Sequence, residues 1–446
     1  MFKLVKPVPS TWENSTLSFN LKTTLKRLMA PLDLDAQRRK NYINVQVDGV
    51  GVGLANAASP FLPVFLARLQ ASSYEIGLLS SMPAITGLLL SIPLGQFLQT
   101  RRNVVPWYSV ARVLVIAGYA LSGLAAFFLR GEALVWGILA IWALVTIPQT
   151  VLAICFSVVM NAVAGPNGRF ELMSRRWIIL GFTTAVTVFL IGQLLDNPRL
   201  LFPVNYQLAF LVLSLGGVLS FIFSRQIIIP SVERSPGEKT NPLQNLSLVF
   251  SEKPFISFIV KRIIYSAGIS MSLPLFPLYF VREIKATDSW IAAIATVQSA
   301  IIIGGYLFWT FQGNRRGSRT VMLWSTFGMS FYPILTALTH KPELIVVFAA
   351  TAGFFQGGID LVFFDELMRT VPEKYSATFV SFFQSAQYIS SIVAPLLGTF
   401  LAETIGIGPA LIISGVIRLL GFALFLFDRS GKKKLPVLPE AEGAAV

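Results

Sequence analysis

The sequence predicts an all-α membrane protein of twelve transmembrane helices, arranged as two pseudo-symmetric six-helix bundles. Three observations lead there. The chain has 446 residues, 54% hydrophobic and 13% charged, with a mean hydropathy of +0.67. A soluble domain carries about 25% charged residues, and half that charge cannot cover a water-facing surface of this size. The apolar residues come in runs of about 20, the length of a helix crossing the hydrocarbon core, twice what a β-barrel strand uses. Finally, the second half of the chain repeats the first.

The spans are expected in order around Asn56, Gly87, Gly118, Gln149, Val186 and Leu215, then around Gly268, Ala300, Met329, Gln356, Ser390 and Val416. The first and seventh contain Gly and Pro, which neighbouring helices tolerate by satisfying the freed backbone groups. Residues 1–40 form a polar, basic segment without the apolar core of a signal peptide, so the first span is expected to be retained. Within it, Leu17, Leu21, Leu25 and Leu28 fall at helical spacing between Lys22, Lys26 and Arg27, a pattern open to a surface helix on the inner leaflet or a frayed tail. The two bundles are expected over 41–229 and 253–428, joined by a polar, Pro- and Gly-containing linker over 230–252. Residues 429–446 form a tail, disordered in composition.

Net charge is +14, and its placement sets orientation. Only Arg68, Arg130, Arg199, Arg282, Lys285 and Lys341 fall in one set of loops; Arg112, Lys261, Arg262 and Arg418 fall within spans. Every other Lys and Arg lies on the side of the chain ends, so the positive-inside rule puts both ends in the cytoplasm. The expected location is the plasma (inner) membrane. Cations scattered over many loops do not make a nucleic-acid module.

The repeat is direct. One constant offset pairs Pro60 with Pro274, Pro63 with Pro277, Phe65 with Tyr279 and Arg68 with Arg282. It also pairs Phe97 with Phe311, Arg101 with Arg315 and Arg102 with Arg316, in the turns after spans 2 and 8. A nearby offset pairs Pro166 with Pro372. Halves of six spans insert the same way up and are related by an axis along the membrane normal.

Six plus six spans with basic turns after spans 2 and 8 resemble the major facilitator superfamily. Its signature in those turns is Gly-x-Leu-x-Asp-Arg-x-Gly-Arg-Arg. The second copy here runs Asn314, Arg315, Arg316, Gly317, Ser318, Arg319, with Asn in place of Asp. The first keeps Gly95, Arg101 and Arg102 but has Gln99 at the acidic position. The resemblance implies a carrier whose halves rock about a midplane site, with these two turns as cytoplasmic gates. It also implies that the charge lock which the family's Asp joins lacks its acid in the first half.

Polar groups at membrane depth are the candidate site, because an ionisable group there costs about 2.5–3.5 kcal/mol on insertion scales. Asp48 in span 1 has Arg262 in span 7 as its counterpart under the offset. Both are expected to face the central cleft, as a state-dependent ion pair or as contacts to a charged solute; the competing expectation sends Arg262 to the headgroups. Asp360 lies one turn after Gln356 and is the best-placed carboxylate to bind and release a proton; its plainer role is a helix-packing bond. Gly353, Gly357 and Gly358 thin the helix around Gln356 for close packing or a bend. Asn56, Gln149, Gln298, Gln356, Gln384 and Gln387 are candidate solute contacts, with helix-packing bonds as the alternative. Arg112 and Arg418 are expected to be structural, and His340 to sit in a loop away from any proton path.

A phosphate-binding loop is not visible, and one His with one Cys cannot supply a metal cluster. No cofactor is expected, and no nucleophile–base pair suggests an enzyme. The expected function is gradient-driven, alternating-access transport of a small solute by a monomer in the bilayer, with protons as candidate coupling ion. Efflux of amphipathic compounds, lipid handling and a transport-inactive sensor stay open.

Overall fold

The computed structural model describes residues 30, 34–99, 101–229, 249–370 and 376–427. The amphipathic pattern over residues 16–29, most of the linker, the C-terminal tail and Pro372 lie outside them. Among the described residues, ten helices are long and apolar enough to cross a membrane: Ala36–Arg68, Val105–Phe128, Gly131–Gly165, Arg175–Leu195, Val204–Ser224, Lys253–Glu283, Asp288–Gly313, Pro342–Leu367, Phe382–Ile405 and Ile407–Leu426. Ser73–Gln99 and Ser318–Ala337 are helices of matching length and complete the expected twelve. They are numbered below as spans 1 to 12 in chain order. Every connection of odd number lies at one end of the bundle, here the loop end; both chain ends point to the other, the terminal end.

Local chemistry explains the boundaries. Span 1 starts where the Asp35 side chain accepts the Arg38 backbone N–H at 2.7 Å, a standard N-cap. It breaks after Asn56 and resumes at Phe61, where Pro60 brings no N–H. Span 7 repeats the break: its first helix ends at Ser272, and a new turn starts after Pro274. The sequence offset thus reappears as one backbone feature in both halves. Spans 4 and 5 are separated at Gly165, whose φ of 70° is in the region open to glycine.

Within the first half, span 1 packs on spans 5 and 6, and span 3 packs on spans 4 and 6. Within the second half, span 7 packs on spans 11 and 12, and span 10 on spans 8 and 9. Span 10 is continuous from Pro342 to Thr370, so its glycines serve close packing, not a bend. A Cβ on Gly357 would stand 2.9 Å from the Tyr306 backbone nitrogen of span 8. The outer surface is apolar, as lipid requires: Phe128 is 84% and Leu215 63% exposed. Among the described residues the halves meet along two seams, span 2 on span 11 and span 5 on span 8, and at the loop end where Phe61–Arg68 of span 1 meets the end of span 7.

Candidate functional site

A cavity of about 300 Å³ lies between the halves at mid-depth. The first half lines it with Ser80, Pro83, Ala84 and Gly87 of span 2 and Gln149, Thr150 and Ala153 of span 4. The second half supplies Ser270 and Leu273 of span 7 with Tyr388, Ser391 and Pro395 of span 11. Tyr388 reaches across to span 2, where a Cβ on Gly87 would stand 2.8 Å from its ring. The Gln149 Oε1 is buried without a hydrogen-bond partner, and Thr150 spends its proton on the Thr146 carbonyl at 3.0 Å.

Of the amides singled out in the sequence, Gln149 lines this cavity; the others are elsewhere. Gln356 donates to the Asp360 carboxylate at 2.7 Å, and Tyr306 of span 8 donates to its other oxygen at 2.8 Å. Asp360 remains exposed. Nearby, Ser266 accepts from Arg262 at 2.6 Å and from Gln387 at 3.3 Å. Arg262 also stacks over the Phe363 ring at 4.0 Å, and its Nε and the Gln387 Oε1 are buried without partners. These residues form one polar group on spans 7, 8, 10 and 11, on the terminal side of the cavity. Gln298 is half-buried on span 8, and Asn56 and Gln384 are exposed.

The expected pairing of Asp48 with Arg262 does not form. Asp48 is fully buried inside the first half. It takes hydrogen bonds from Tyr108 at 2.9 Å and Ser220 at 2.5 Å and an ion pair from Arg176 at 2.8 Å, with Arg112 at 3.9 Å. The physical reason is pseudo-symmetry itself: equivalent positions in two repeats share an environment type and are not thereby neighbours. Arg112 is buried in the same bundle and donates to the Tyr108 hydroxyl at 2.7 Å. Arg418 is buried in the second half, and its donors go to neutral groups, the Met329 carbonyl and the Ser272 hydroxyl.

The basic turns sit at the terminal end. Arg101 and Arg102 are exposed, and Arg101 stacks on Phe97 at 4.3 Å. Its repeat partner Arg315 is exposed and stacks on Phe311 at 4.7 Å, the same pose in both halves. Arg316 is exposed, Arg319 donates to the Leu426 carbonyl at 3.4 Å, and Asn314 lies in the helical turn just past span 8.

The loop end holds an arrangement that inspection of single residues missed. Arg68, at the end of span 1, crosses to the other half: it pairs with Asp288 at 2.7 Å and donates to the Ala286 carbonyl at 3.1 Å. Tyr206 adds a 2.6 Å bond to the same carboxylate, and Asp196 accepts the Asp288 and Ser289 backbone N–H groups at 2.9 and 3.0 Å. Arg282, at the end of span 7, crosses in the opposite sense to the Ala71 carbonyl and, at 3.2 Å, to the Ser73 hydroxyl. Arg68 and Arg282 are the pair matched by the sequence offset. Each arginine therefore ties its own half to the first odd-numbered turn of the other. His340 is exposed at this same end, beside Tyr279. A surface groove of about 580 Å³, lined by Arg68, Asp196, Lys285 and Asp288, lies on the outer side of the tie.

Glycines measure how the seams change with depth. A Cβ on Gly77 would meet Thr399 of span 11 at 2.8 Å, near the loop end. Gly95 lies about five turns along on the same face of span 2 and would meet nothing within 4 Å among the described residues. On the other seam Gly192 abuts Ala292, Thr296 bonds the Ala185 carbonyl at 3.2 Å, and Gly181, about three turns on, meets nothing within 4 Å. Among the described residues, both seams are tight at the loop end and lose these close glycine contacts toward the terminal end.

Comparison with known proteins agrees with this architecture. The family model described as Major Facilitator Superfamily matches residues 262–445. Multidrug resistance protein MdtG of Proteus mirabilis (strain HI4320) is 22% identical over 166 residues, 36% of this chain and 41% of that protein. MdtG of Serratia proteamaculans (strain 568) is 25% identical over 165 residues, 36% of this chain and 40% of that protein. The match thus spans about two fifths of the length of these relatives. Among solved structures, the nucleoside transporter NupG superposes with a TM-score of 0.70 at 13% identity, covering 87% of this chain and 99% of that one. A bacterial metal transporter gives 0.62 at 14%, covering 88% and 98%. At such identities the likeness is one of fold.

Proposed function

We propose that this chain, a member of the major facilitator superfamily, carries a small solute across a bacterial inner membrane by alternating access, as a monomer with both ends in the cytoplasm. The observation that supports this reading is the cavity between the halves, with tight seams on one side of it and, among the described residues, seams without those close glycine contacts on the other. A cleft closed at one end and open at the other is one of the two states that a rocking carrier needs. The bias of Lys and Arg toward the terminal end supports a cytoplasmic placing of that end, and with it the reading of this arrangement as inward-open. Export of amphipathic compounds is the second reading, favoured by the similarity to MdtG proteins.

Locking the loop end tests the cycle. A Cβ on Gly77 would lie 3.4 Å from the Thr399 Cβ, close to the roughly 3.5–4.5 Å span of a disulfide. In proteoliposomes the pair Gly77→Cys and Thr399→Cys is expected to stop exchange of a transported probe on oxidation and to restore it with dithiothreitol. The probes are radiolabelled uridine, D-glucose and tetraphenylphosphonium. Saturable flux that survives the lock, or no flux of any probe, sinks the reading.

Coupling is assigned to Asp360, which is exposed among Tyr306 and Gln356, with Arg262 in the same polar group. The Asp360→Asn variant is expected to keep solute exchange and lose the response of net uptake to an imposed pH gradient. Unchanged pH-driven accumulation would remove Asp360 from the coupling step.

A further inference from the structure

The central cavity also says what kind of solute it takes, and this inference rests on the transport reading above. Among the described residues its lining carries no carboxylate, ammonium, guanidinium or imidazole. A cation or anion held there would leave water without a counter-charge, which low-dielectric sites do not tolerate. Divalent and transition metals ask for carboxylate, imidazole or thiolate ligands, and the lining supplies none.

The polar groups that do face the cavity are uneven in type. On the first-half wall, the Gln149 carbonyl oxygen is buried and unpartnered. Beside it, the Thr150 hydroxyl has given its proton to Thr146, so its oxygen offers lone pairs. This wall therefore offers a solute the Gln149 amide, which can donate or accept, and the Thr150 oxygen, which accepts. The opposite wall adds the hydroxyls of Ser270, Tyr388 and Ser391, which can either donate or accept. Between the two walls lie Pro83, Ala84, Leu273 and Pro395, apolar and rigid. A volume of about 300 Å³ stands at the low end of the ~300–1,000 Å³ typical of ligand pockets.

We infer that the transported solute is small and uncharged, hydrogen-bonds with Gln149 and Thr150, and lays an apolar face against the proline-lined walls. Sugars, polyols and nucleosides have this chemistry; cationic drugs and metal ions do not. Gln149 and Thr150 are the specificity residues, and Gly87 gives the Tyr388 ring the room to close the cavity from across the cleft.

The test uses the purified full chain in nanodiscs, with equilibrium binding of four probes: uridine, D-glucose, tetraphenylphosphonium and Mn²⁺. One of the two uncharged probes is expected to bind saturably. Gln149→Leu and the near-isosteric Thr150→Val are each expected to weaken it about tenfold, as loss of one hydrogen-bonded contact does. Both variants should keep the wild-type melting temperature without ligand, and the exposed Lys341→Ala should bind as wild type does. Saturable binding of tetraphenylphosphonium or Mn²⁺ in place of the uncharged probes overturns the inference. So does uncharged binding that ignores both substitutions, or no binding by either uncharged probe. Flux of tetraphenylphosphonium that the Gly77–Thr399 lock abolishes would refute this solute class while leaving the transport cycle standing.

Discussion

Replacing Arg68 and Arg282 together with Gln is expected to open the loop end. In the structure these two side chains carry reciprocal ties between the halves: Arg68 to Asp288 and the Ala286 carbonyl, Arg282 to Ser73 and the Ala71 carbonyl. The Arg68 side chain is 28% exposed and Asp288 6%, so the pair is largely shielded from water. A hydrogen bond to a charged group contributes about 1.5–3 kcal/mol net. The ties exist only while the loop end is closed, so their loss acts wholly on the conformational equilibrium. Even about 2 kcal/mol moves the open-to-closed ratio by roughly thirtyfold. The measurement is maleimide labelling of Ser270→Cys, in the cavity, by an impermeant reagent added from the loop side. Labelling should be slow in the otherwise wild-type chain and at least tenfold faster in the double variant. The charge swap Arg68→Asp with Asp288→Arg should restore part of the closure. Equal labelling rates in all three backgrounds would mean the arginines decorate a seam that is closed by apolar packing alone. Arg68→Lys should fall between, since an ammonium cannot serve the carboxylate and the carbonyl with the fixed fork of a guanidinium.

That tie shows where sequence reading succeeds and where it stops. The offset between the halves matched Arg68 with Arg282 before any geometry was known, and both occupy equivalent places at the ends of spans 1 and 7. Their partners, at Ala71–Ser73 and Ala286–Asp288, are ordinary residues leading into spans 2 and 8. Nothing local marks them, because the contact exists only once two bundles are docked. Helix existence was legible because a 20-residue apolar run has one stable solution in lipid. The Gly and Pro of spans 1 and 7 stood out in the sequence, but that each span breaks there, just before a proline, came from the structure. Gln149 stood out as an amide in an apolar run, whereas Tyr388, Thr150 and Tyr306 did not, since aromatic and hydroxyl side chains are common in spans. Asp48 was correctly seen as anomalous and wrongly partnered. Its principal cation is Arg176, which the charge count had placed in a loop; the helix of span 5 carries it into the bundle, 3% exposed.

The second large effect concerns that network. Asp48 lies at the meeting point of spans 1, 3, 5 and 6, fully buried, between Arg176 and Arg112. It is the acid that the network provides for two guanidinium groups, and Tyr108 and Ser220 complete its coordination. Neutralising it in Asp48→Asn leaves both cations uncompensated in a low-dielectric interior. Removing one partner of a buried pair costs about 3–5 kcal/mol, a large share of the roughly 5–15 kcal/mol that holds a folded domain together. The expected result is a strongly lowered melting temperature in detergent and poor recovery of folded protein. Arg176→Met alone should be milder, because Arg112 still faces the carboxylate. The double variant Asp48→Asn with Arg176→Met should recover part of what Asp48→Asn loses, since one orphaned charge is removed with it; the non-additivity is the signature of a shared network. Asp360→Asn provides the contrast. Its carboxylate is exposed and held by neutral donors, so it should melt as the wild type does while changing transport. If Asp48→Asn instead folds at full stability and fails only in transport, the carboxylate belongs to the working cycle, and the first bundle must open around it during the stroke.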